Sequence, residues 1–491
     1  MNKAIIIGSG IAGLASSLRL RAKSYDVTVF EANAYTGGKL HAFESNGYRF
    51  DYGPSLFTMP HYVDELFLLF NEDPRRHFNY IKKDSICNYF WKDGTTFSVP
   101  ANQEEFISLA SKKFEEPRQH LEQYLRSSEK KYDLTAKLFL EKSLHKLTTY
   151  LSKDALRGIL SSRRLDLNNS LNKVNQKYFN NPKLIQLFNR YATYNGSNPY
   201  STPGIMSLIP QLEMRFGTYY PKGGMHEISQ SLYRLALSQG VDFQFNSKVD
   251  EVLYKNRKVT GVRVGSEYYA ADLVVCNMDI FSAYRSILKK VKKPKKVLKQ
   301  ERSSSAMIFY WGINKNFDEL GLHNIFFSDN YEKEFDAIFH KHTLIEDPTI
   351  YINITSKEDA YHAPDGGENW FVMINSPGNK GQDWEKLKQS AKQSVTKKLS
   401  KALNTDIEKL ITTERVLDPM RIEKDTLSHE GSLYGTSSNT KFAAFLRHPN
   451  FSFSIKNLYF CGGSAHPGGG IPLCLLSAKI VSDLIPPNGT N

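Results

Sequence analysis

Apolar runs and glycines alternate at the start of the chain. Residues 4–7 form a short apolar run that predicts a buried strand, and glycines follow it directly. Leu14, Ala15 and Leu18 continue at helical spacing, which predicts a helix packed against a sheet. Residues 26–30 predict a second strand. The order strand, turn, helix, strand begins a βαβ unit and predicts an α/β fold.

The apolar pattern changes twice in the rest of the chain. Between residues 100 and 195 apolar residues recur at helical spacing and glycines are few, which predicts a mostly helical insertion. Further helices are expected from Pro60 to Phe70, over residues 384–403 and from about Ile471. Strands are expected at residues 249–252, 262–264, 271–276, 306–311, 349–354, 370–375 and 458–463, the last running into a glycine turn.

Composition places the chain among globular proteins. Of its 491 residues, 40% are hydrophobic and 23% are charged, which excludes disordered and collagen-like chains. The four cysteines form no CxxC pair, so neither a disulfide scaffold nor a zinc site is expected. No apolar run reaches the roughly 18 residues of a spanning helix, and the N-terminal run is too short for a signal peptide. We therefore expect a cytoplasmic protein whose contact with a membrane is peripheral.

Lysine and arginine exceed aspartate and glutamate, and the formal net charge is +13. The densest cluster, residues 289–296, contains six lysines. A solvated helix end is the ordinary interpretation of such a cluster. No nucleic-acid-binding motif accompanies it, so we expect no nucleic-acid partner. Attraction to an anionic bilayer remains the alternative.

The glycines after the first strand have the spacing of a dinucleotide-binding turn. Gly8 permits the tight turn, Gly10 lets the backbone approach a pyrophosphate, and Gly13 allows close packing of the helix on the strand. The helix N-terminus then offers unpaired N–H groups to the phosphates. Glu31 ends the second strand, where it can accept hydrogen bonds from ribose hydroxyls. The alternative is a glycine turn in an unrelated α/β domain.

A second glycine pair, Gly37 and Gly38, follows the acid and precedes Lys39, which can meet a phosphate or ribose. A nicotinamide enzyme of this topology would usually continue into its next βα unit. The pattern resembles that of flavin-containing amine-oxidase-like enzymes. This resemblance favours FAD over NAD as the cofactor.

Longer motifs carry a closer resemblance, to the carotenoid desaturase family of the bacterial phytoene desaturase type. They are residues 50–55 (FDYGPS), 220–225 (YPKGGM) and 458–472 (LYFCGGSAHPGGGIP). Residues 326–328 and 334–336 are similar to the family as well. The resemblance covers essentially the whole chain.

The resemblance implies cofactor-binding residues in every part of the chain. In the family, the C-terminal motif closes over the flavin and the helix after it points its N-terminus at the isoalloxazine ring. The implied residues are Gly8, Gly10, Ala12 and Gly13 at the pyrophosphate, Glu31 and Lys39 on the adenosine side, Ser55 and Leu56 near the flavin, Val249 at the adenine with Asn277 on the neighbouring strand, and Gly463, Gly470 and Ile471 at the isoalloxazine.

No side chain is assigned a catalytic role from the sequence. Relatives often carry a threonine where this chain has Ser464 and Ala465, which removes a hydroxyl from the turn. His466 is a candidate acid or base, but stiffening of the glycine-rich turn is the favoured interpretation. Glu213 and Arg215 either reach a substrate tunnel or form a structural ion pair. None of these is required, because a flavin itself carries the difficult step of a desaturation.

The resemblance also implies a division of the chain into a Rossmann-like FAD-binding domain made of discontinuous segments and an inserted α+β substrate domain. The mostly helical part of the insertion is expected to lie near a membrane. The FAD-binding segments are residues 1–75, 216–300 and 416–491; the substrate domain comprises residues 76–215, with the helices, and 301–415, with the sheet.

The implied activity is the desaturation of an acyclic carotenoid drawn from a membrane, with a lean towards 3,4-desaturation of a 1-hydroxycarotenoid. Residues 156–171, which combine leucines with arginines, and residues 289–296 are the candidate docking segments. An ordinary amphipathic helix that faces the domain core is the alternative for residues 156–171. Phytoene desaturation and carotenoid isomerisation remain alternatives within the family. More distant alternatives are an amine oxidase and a non-catalytic carotenoid-binding protein. The electron acceptor and the oligomeric state stay open.

Overall fold

The computed structural model describes residues 1–136, 140–146, 149 and 165–489. Most of the first predicted docking segment, residues 156–164, lies outside the described residues. The N-terminal elements are β1 (Lys3–Ile7), α1 (Ile11–Ala22), β2 (Asp26–Phe30), β3 (Ala42–Ser45), β4 (Tyr48–Asp51), α2 (His61–Leu68), α3 (Pro74–His77), β5 (Tyr80–Lys82), β6 (Ser85–Phe90) and β7 (Thr96–Pro100).

Helices dominate the next part of the chain, and short strands follow them. The helices are α4 (Gln103–Phe114), α5 (Arg118–Thr135), α6 (Leu171–Tyr178), α7 (Pro182–Asn189) and α8 (Pro210–Met214), with 3₁₀ turns at Arg190–Asn195 and Gly204–Leu208. After them come β8 (Tyr219–Pro221), α9 (His226–Ser238), β9 (Asp242–Gln244), β10 (Glu251–Lys255), β11 (Lys258–Val264), β12 (Glu267–Ala270) and β13 (Leu273–Cys276).

Strands and helices alternate through the C-terminal part. They are α10 (Ile280–Arg285), α11 (Lys295–Leu298), β14 (Ser305–Ile313), β15 (His323–Phe326), α12 (Tyr331–Asp336), β16 (Ile350–Ile354), β17 (Glu368–Ser376), α13 (Trp384–Ala402), β18 (Ile411–Leu417), α14 (Pro419–Thr426), α15 (Lys441–Phe445), β19 (Leu458–Phe460) and α16 (Ile471–Leu484).

A parallel sheet joins the two ends of the chain with its middle. Its strand order is β19-β13-β1-β2-β9, and each neighbouring pair runs parallel. Ile6 and Val275 pack with α1 and α16 on one face, whereas Ile5 and Val274 pack into a second core on the other. Because both faces are covered, β13 is apolar throughout and β1 is apolar after Lys3, as in other parallel sheets. The carboxyl ends of β1, β2, β13 and β19 therefore meet at one edge.

A seven-stranded mixed sheet lies beside the parallel one, in the order β18-β14-β17-β16-β15-β6-β7. Only the β15–β6 pair is parallel among its neighbouring strands. Phe309 and Trp311 face the core beneath α13, where Trp384 packs. Alternate residues such as Ile308 and Phe371 lie on the opposite face, towards β4. One face of this sheet is thus free to line a cavity.

The helical region packs on the end of the mixed sheet. Phe106 of α4, Tyr124 of α5 and Phe188 of α7 share a core with Ile86 and Tyr89 of β6. Strands β6 and β7 therefore belong to the sheet that residues 305–417 build, although a long stretch of chain separates them. Within the described part of the chain, no helix has both the length and the apolar character to cross a bilayer.

Most predicted elements are confirmed, with shifts at their ends. The helix from Pro60 ends at Leu68, so Phe70 lies beyond it, and the strand expected from residue 249 begins at Glu251. The β3–β4 hairpin was not predicted. Its turn contains Asn46 and Gly47, both with positive φ, and this dipeptide is a hairpin signal that the sequence does carry.

Candidate functional site

One cavity of about 760 Å³ lies between the carboxyl edge of the parallel sheet and the free face of the mixed sheet. Its lining combines two groups of residues. The first group comes from the glycine-rich turns after β1, β2 and β19, and the second is largely apolar and aromatic. Crevices at the carboxyl edge of such sheets are where nucleotides bind. Within the described residues, no group of three or more His, Cys, Asp and Glu side chains is arranged for a metal ion.

The turn after β1 brings helix α1 very close to the strand. Gly8 has φ +93°, and a Cβ on Gly13 would lie 2.0 Å from the Gly8 carbonyl oxygen. Gly8, Gly10 and Ala12 line the cavity. Gly13 does not appear in that lining, because it packs behind the turn. The structure therefore gives Gly13 a helix-packing role, whereas Gly8, Gly10 and Ala12 face the cavity.

Asn277 at the end of β13 faces the start of α1. When the side-chain amide of Asn277 is oriented so that both its oxygen and its nitrogen have partners, the oxygen accepts from Gly10 N at 3.3 Å and from Gly13 N at 3.1 Å. Leu14 N makes the first intrahelical bond, to Gly10 O. The N–H groups of the first helical turn have no intrahelical partners. Asn277 thus satisfies two of the donors at this helix end, and those of Ile11 and Ala12 remain for an anion.

Glu31 lies at the carboxyl end of β2 and is 6% exposed. Its Oε2 accepts from the Ser9 backbone N–H at 2.8 Å and the Ser9 hydroxyl at 2.7 Å. Its Oε1 accepts from the Asn33 backbone N–H at 2.9 Å. These contacts orient the carboxylate at the cavity wall, where Val249 also lies.

Lys39 follows the second glycine pair and lines the cavity. Its Nζ donates to the carbonyl oxygens of Ser432 at 3.2 Å and Leu433 at 3.0 Å. Burial lowers its pKa to about 8, and the charge of Asp279 acts in the opposite direction. The lysine is therefore anchored against the C-terminal segment and lines the same cavity as Glu31.

The C-terminal turn closes the same cavity. Gly463, Gly470 and Ile471 line it, together with Ser55 and Leu56 from the turn after β4. Gly470 has φ +105° and precedes α16, which has no acidic residue in its first turn. The N-terminus of α16 is therefore a second helix end that favours an anionic or electron-rich group.

A buried arginine that the sequence did not single out also lines the cavity. Arg447 is 2% exposed and donates from Nη1 to Tyr434 O at 2.8 Å and Gly463 O at 3.3 Å. No carboxylate among the described residues pairs with it, and burial lowers its pKa to about 10. Buried charges ordinarily have a partner, so this cation suits an anionic cofactor. Together with two open helix ends, it makes the cavity fit a dinucleotide.

Glu213 and Arg215 have different surroundings. Glu213 lines the cavity and pairs with Arg190 at 3.1 Å, a residue that the sequence did not indicate. Arg215 lies at the surface beside Glu129 and Asp133. Glu213 thus both faces the cavity and forms an ion pair, whereas Arg215 forms ion pairs at the surface.

His466 is buried in the C-terminal turn and lines the cavity. Its Nε2 is 2.9 Å from Lys142 O, and its backbone carbonyl accepts from Asn450 and Ser477. Burial lowers its pKa to about 4, so the imidazole is neutral near pH 7. These contacts favour the interpretation in which His466 stiffens the turn.

Comparison with known proteins gives full-length matches. A family model described as flavin containing amine oxidoreductase matches residues 11–486. The 1-hydroxycarotenoid 3,4-desaturase of Flavobacterium sp. (strain P99-3) is 60% identical, covering 99% of each chain. The 4,4'-diapolycopene oxygenase of Methylomonas sp is 30% identical over 98% of each. The cyclohexylamine oxidase structure from Brevibacterium oxydans aligns with a TM-score of 0.63 at 14% identity, covering 98% of each chain, and supports the fold alone.

The burial of His466 predicts a loss of stability in mild acid. Its pKa lies below the ordinary 6.5 in the folded protein, so between pH 6.5 and pH 4 the unfolded chain binds a proton that the folded chain excludes. The free energy of unfolding therefore falls as the pH falls. In H466Q we expect the decrease between pH 7 and pH 5 to be about 2 kcal/mol smaller than in the unmodified protein. Denaturant unfolding of both proteins at the two pH values measures it. An equal loss in H466Q would contradict the burial argument.

Proposed function

The chain belongs to the flavin-containing amine oxidoreductase family, and from this premise we propose that it is an FAD-dependent desaturase that introduces the 3,4 double bond into a 1-hydroxylated acyclic carotenoid. The observation that supports this most is the 60% identity over 99% of the chain to a 1-hydroxycarotenoid 3,4-desaturase. The resemblance to carotenoid desaturases found in the sequence motifs is confirmed by this match.

FAD is the cofactor that membership in this family implies. We propose that it is held by Gly8, Gly10, Ala12, Glu31, Lys39, Ser55, Leu56, Val249, Asn277, Gly463, Gly470 and Ile471, with Gly13 acting through helix packing. Arg447 is added to this set because it is a buried cation with no acidic partner in the described part of the chain. The open N–H groups of α1 and α16 suit the anionic parts of the cofactor.

A bound flavin supplies the acceptor for the two electrons that leave the substrate in a desaturation. The protein must position an extended apolar chain and keep water out. Ile308, Tyr351, Phe371 and Met373, from the mixed sheet, line the cavity and provide the apolar wall that a polyene needs. Apolar burial of this kind holds a polyene without fixing its position along the cavity.

The two sheets suggest a division of labour. We assign residues 1–75, 216–300 and 416–491 to the FAD-binding domain, because their strands form the parallel sheet. We assign residues 76–215 and 301–415 to the substrate domain, because the mixed sheet and the helical core come from them.

Two rival functions are less compatible with the cavity. An amine oxidase needs a polar or acidic pocket for a small cation. The Glu213 carboxylate does not suit that role, because its charge is already balanced by Arg190. A non-catalytic carotenoid carrier would have no use for the open helix ends, nor for Arg447, which has no acidic partner among the described residues. Phytoene desaturation and isomerisation use the same scaffold, and only the products distinguish them.

A carotenoid resides in a bilayer, so the enzyme must meet a membrane to receive it. We propose that the lysines of residues 289–296 contribute to this contact. Lys292, Lys293 and Lys296 are exposed around α11, and no ion pair of these three residues is found within the described part of the chain.

Product analysis tests the proposed reaction. The FAD-loaded protein is incubated with liposomes that carry a 1-hydroxylated acyclic carotenoid, its unhydroxylated parent or phytoene. We expect a red shift in absorption for the hydroxylated substrate alone, because each added conjugated double bond lengthens the chromophore. Conversion of phytoene would instead assign the protein to the phytoene desaturases. No conversion of any substrate by flavin-loaded protein would contradict the desaturase function.

Substitution of Arg447 tests the cofactor site. R447M loses a charge-assisted hydrogen bond worth about 1.5–3 kcal/mol, so we expect FAD to bind roughly 10- to 100-fold more weakly. Titration of the apoprotein, followed by flavin fluorescence, measures the affinity. R447K keeps the charge and serves as the control, and we expect its affinity for FAD to lie between those of the unmodified protein and R447M. Unchanged FAD binding in R447M, with an unchanged circular dichroism spectrum, would remove Arg447 from the site.

Flotation with anionic liposomes tests the membrane contact. Replacing Lys292, Lys293 and Lys296 by glutamine removes about 1 kcal/mol of attraction per lysine, so less protein floats, and salt weakens binding of the unmodified protein. Glutamine at the exposed Lys386, Lys397 and Lys401 is the matched control. Equal flotation of the two triple variants would place the contact elsewhere.

A further inference from the structure

A charged pair lies in the otherwise apolar part of the cavity wall. Arg190 Nη2 is 3.1 Å from Glu213 Oε2, and the two side chains are 9% and 2% exposed. Tyr191 donates its hydroxyl to the same carboxylate oxygen at 2.6 Å. Arg190 and Glu213 both line the cavity. A hydrocarbon polyene gains nothing from a charge at this position.

The pair is costly to bury. Both charges must be removed from water, and apolar residues of similar volume often stabilise a protein as well or better. The rings of Tyr89, Tyr191 and Tyr194 lie within 5.4, 4.5 and 5.4 Å of the Arg190 guanidinium carbon. These rings hold the guanidinium in place. Such a surrounding suggests a role for the pair beyond stability.

Both partners keep unused hydrogen-bonding capacity. Arg190 Nε has no partner among the described residues. Glu213 Oε1 has only a long contact, 3.4 Å from Arg190 Nη2. The pair therefore has N–H groups and a carboxylate oxygen to offer to a ligand in the cavity.

We propose that Arg190 and Glu213 bind the hydroxyl group of the substrate and so set the preference for a hydroxylated carotenoid. This inference rests on the proposed function. A hydroxyl group is both donor and acceptor, so it can accept from the guanidinium and donate to the carboxylate. The pair is neutral as a whole, which suits a neutral alcohol better than an anion or an amine. The two residues thus act as specificity determinants.

Recognition of the hydroxyl beside the new double bond requires the pair to lie in the same cavity as the flavin. In a 1-hydroxycarotenoid the hydroxyl-bearing carbon lies two bonds from carbon 3, so a group that binds the hydroxyl must lie near the flavin. Ser55, which we place beside the flavin, lines the same cavity as the pair. Tyr351 and His323 also line it, and Tyr351 Oη is 2.8 Å from His323 Nδ1. The pair and the residues that we place at the flavin therefore share one continuous cavity.

The test compares substrates that differ only in the hydroxyl. The dissociation constants of the hydroxylated carotenoid and of its unhydroxylated parent are measured on FAD-loaded protein by the change in carotenoid absorption, and kcat/KM is measured for both. The preference is the ratio of the two dissociation constants and the ratio of the two kcat/KM values. We expect R190M to lower both ratios about 10- to 100-fold, because a site that hydrogen-bonds a hydroxyl discriminates by that interaction. Binding of the parent compound should change little.

Two further variants separate recognition from folding. R190M leaves the buried Glu213 carboxylate without the arginine that balances its charge, so R190M/E213Q removes both charges and should show the same loss of preference in a more stable protein. Arg19 is also a buried arginine paired with a glutamate, Glu65, but it does not line the cavity. R19M should therefore keep the preference.

The outcomes distinguish this inference from the proposed function. If the unmodified protein prefers the hydroxylated compound and R190M/E213Q retains that preference, the inference is overturned while the desaturase function stands. If the unmodified protein binds both compounds equally, the hydroxyl is not recognised and the inference is also wrong. If the unmodified protein binds the hydroxylated compound preferentially but converts neither, the proposed function fails and the recognition role is judged from the binding ratios of the variants.

Discussion

Helix α1 begins so close to the end of β1 that any side chain at Gly13 would collide with the Gly8 carbonyl oxygen. This close approach holds the first turn of the helix at the carboxyl edge of the parallel sheet. Asn277, from the neighbouring strand, accepts from the N–H groups of Gly10 and Gly13 and leaves those of the two residues between them for an anion. The position of the cofactor site follows from this contact, because β2, β13 and β19 end at the same edge and bring Glu31, Asn277 and the C-terminal turn to it.

The second constraint is the separation of functions between two sheets. The parallel sheet is covered on both faces and carries the nucleotide-type turns at its edge. The mixed sheet is covered on one face by α13, and its other face is available to the cavity. A cofactor at the edge of the first sheet therefore faces an apolar wall formed by the second. This arrangement suits a reaction in which a hydrocarbon must lie against a flavin and water must be kept out.

Charges in the cavity fall into two kinds. Arg447 and Lys39 are buried cations whose hydrogen bonds go to backbone carbonyls, so their charge is available to an anionic cofactor. Arg190 is a cation whose charge is balanced by Glu213, so it offers a neutral polar site. We therefore assign the first kind to cofactor binding and the second to substrate recognition within one continuous cavity. This assignment gives the charged pair a function in an otherwise apolar part of the wall.

The sequence by itself determined the features that depend on local pattern. The run of residues 4–7, the spacing of Gly8, Gly10 and Gly13, and the acid at Glu31 predict the nucleotide-binding unit, because a tight turn and a buried parallel strand each require particular residue types at fixed spacing. The motif of residues 458–472 placed the chain in its family. Only the tertiary structure decided which polar side chains face the cavity. Lys39 binds a carbonyl 394 positions away, Arg190 pairs with a glutamate 23 positions away, and Arg447 lies outside any glycine motif. Such partners are set by how distant segments pack, and no local spacing encodes that.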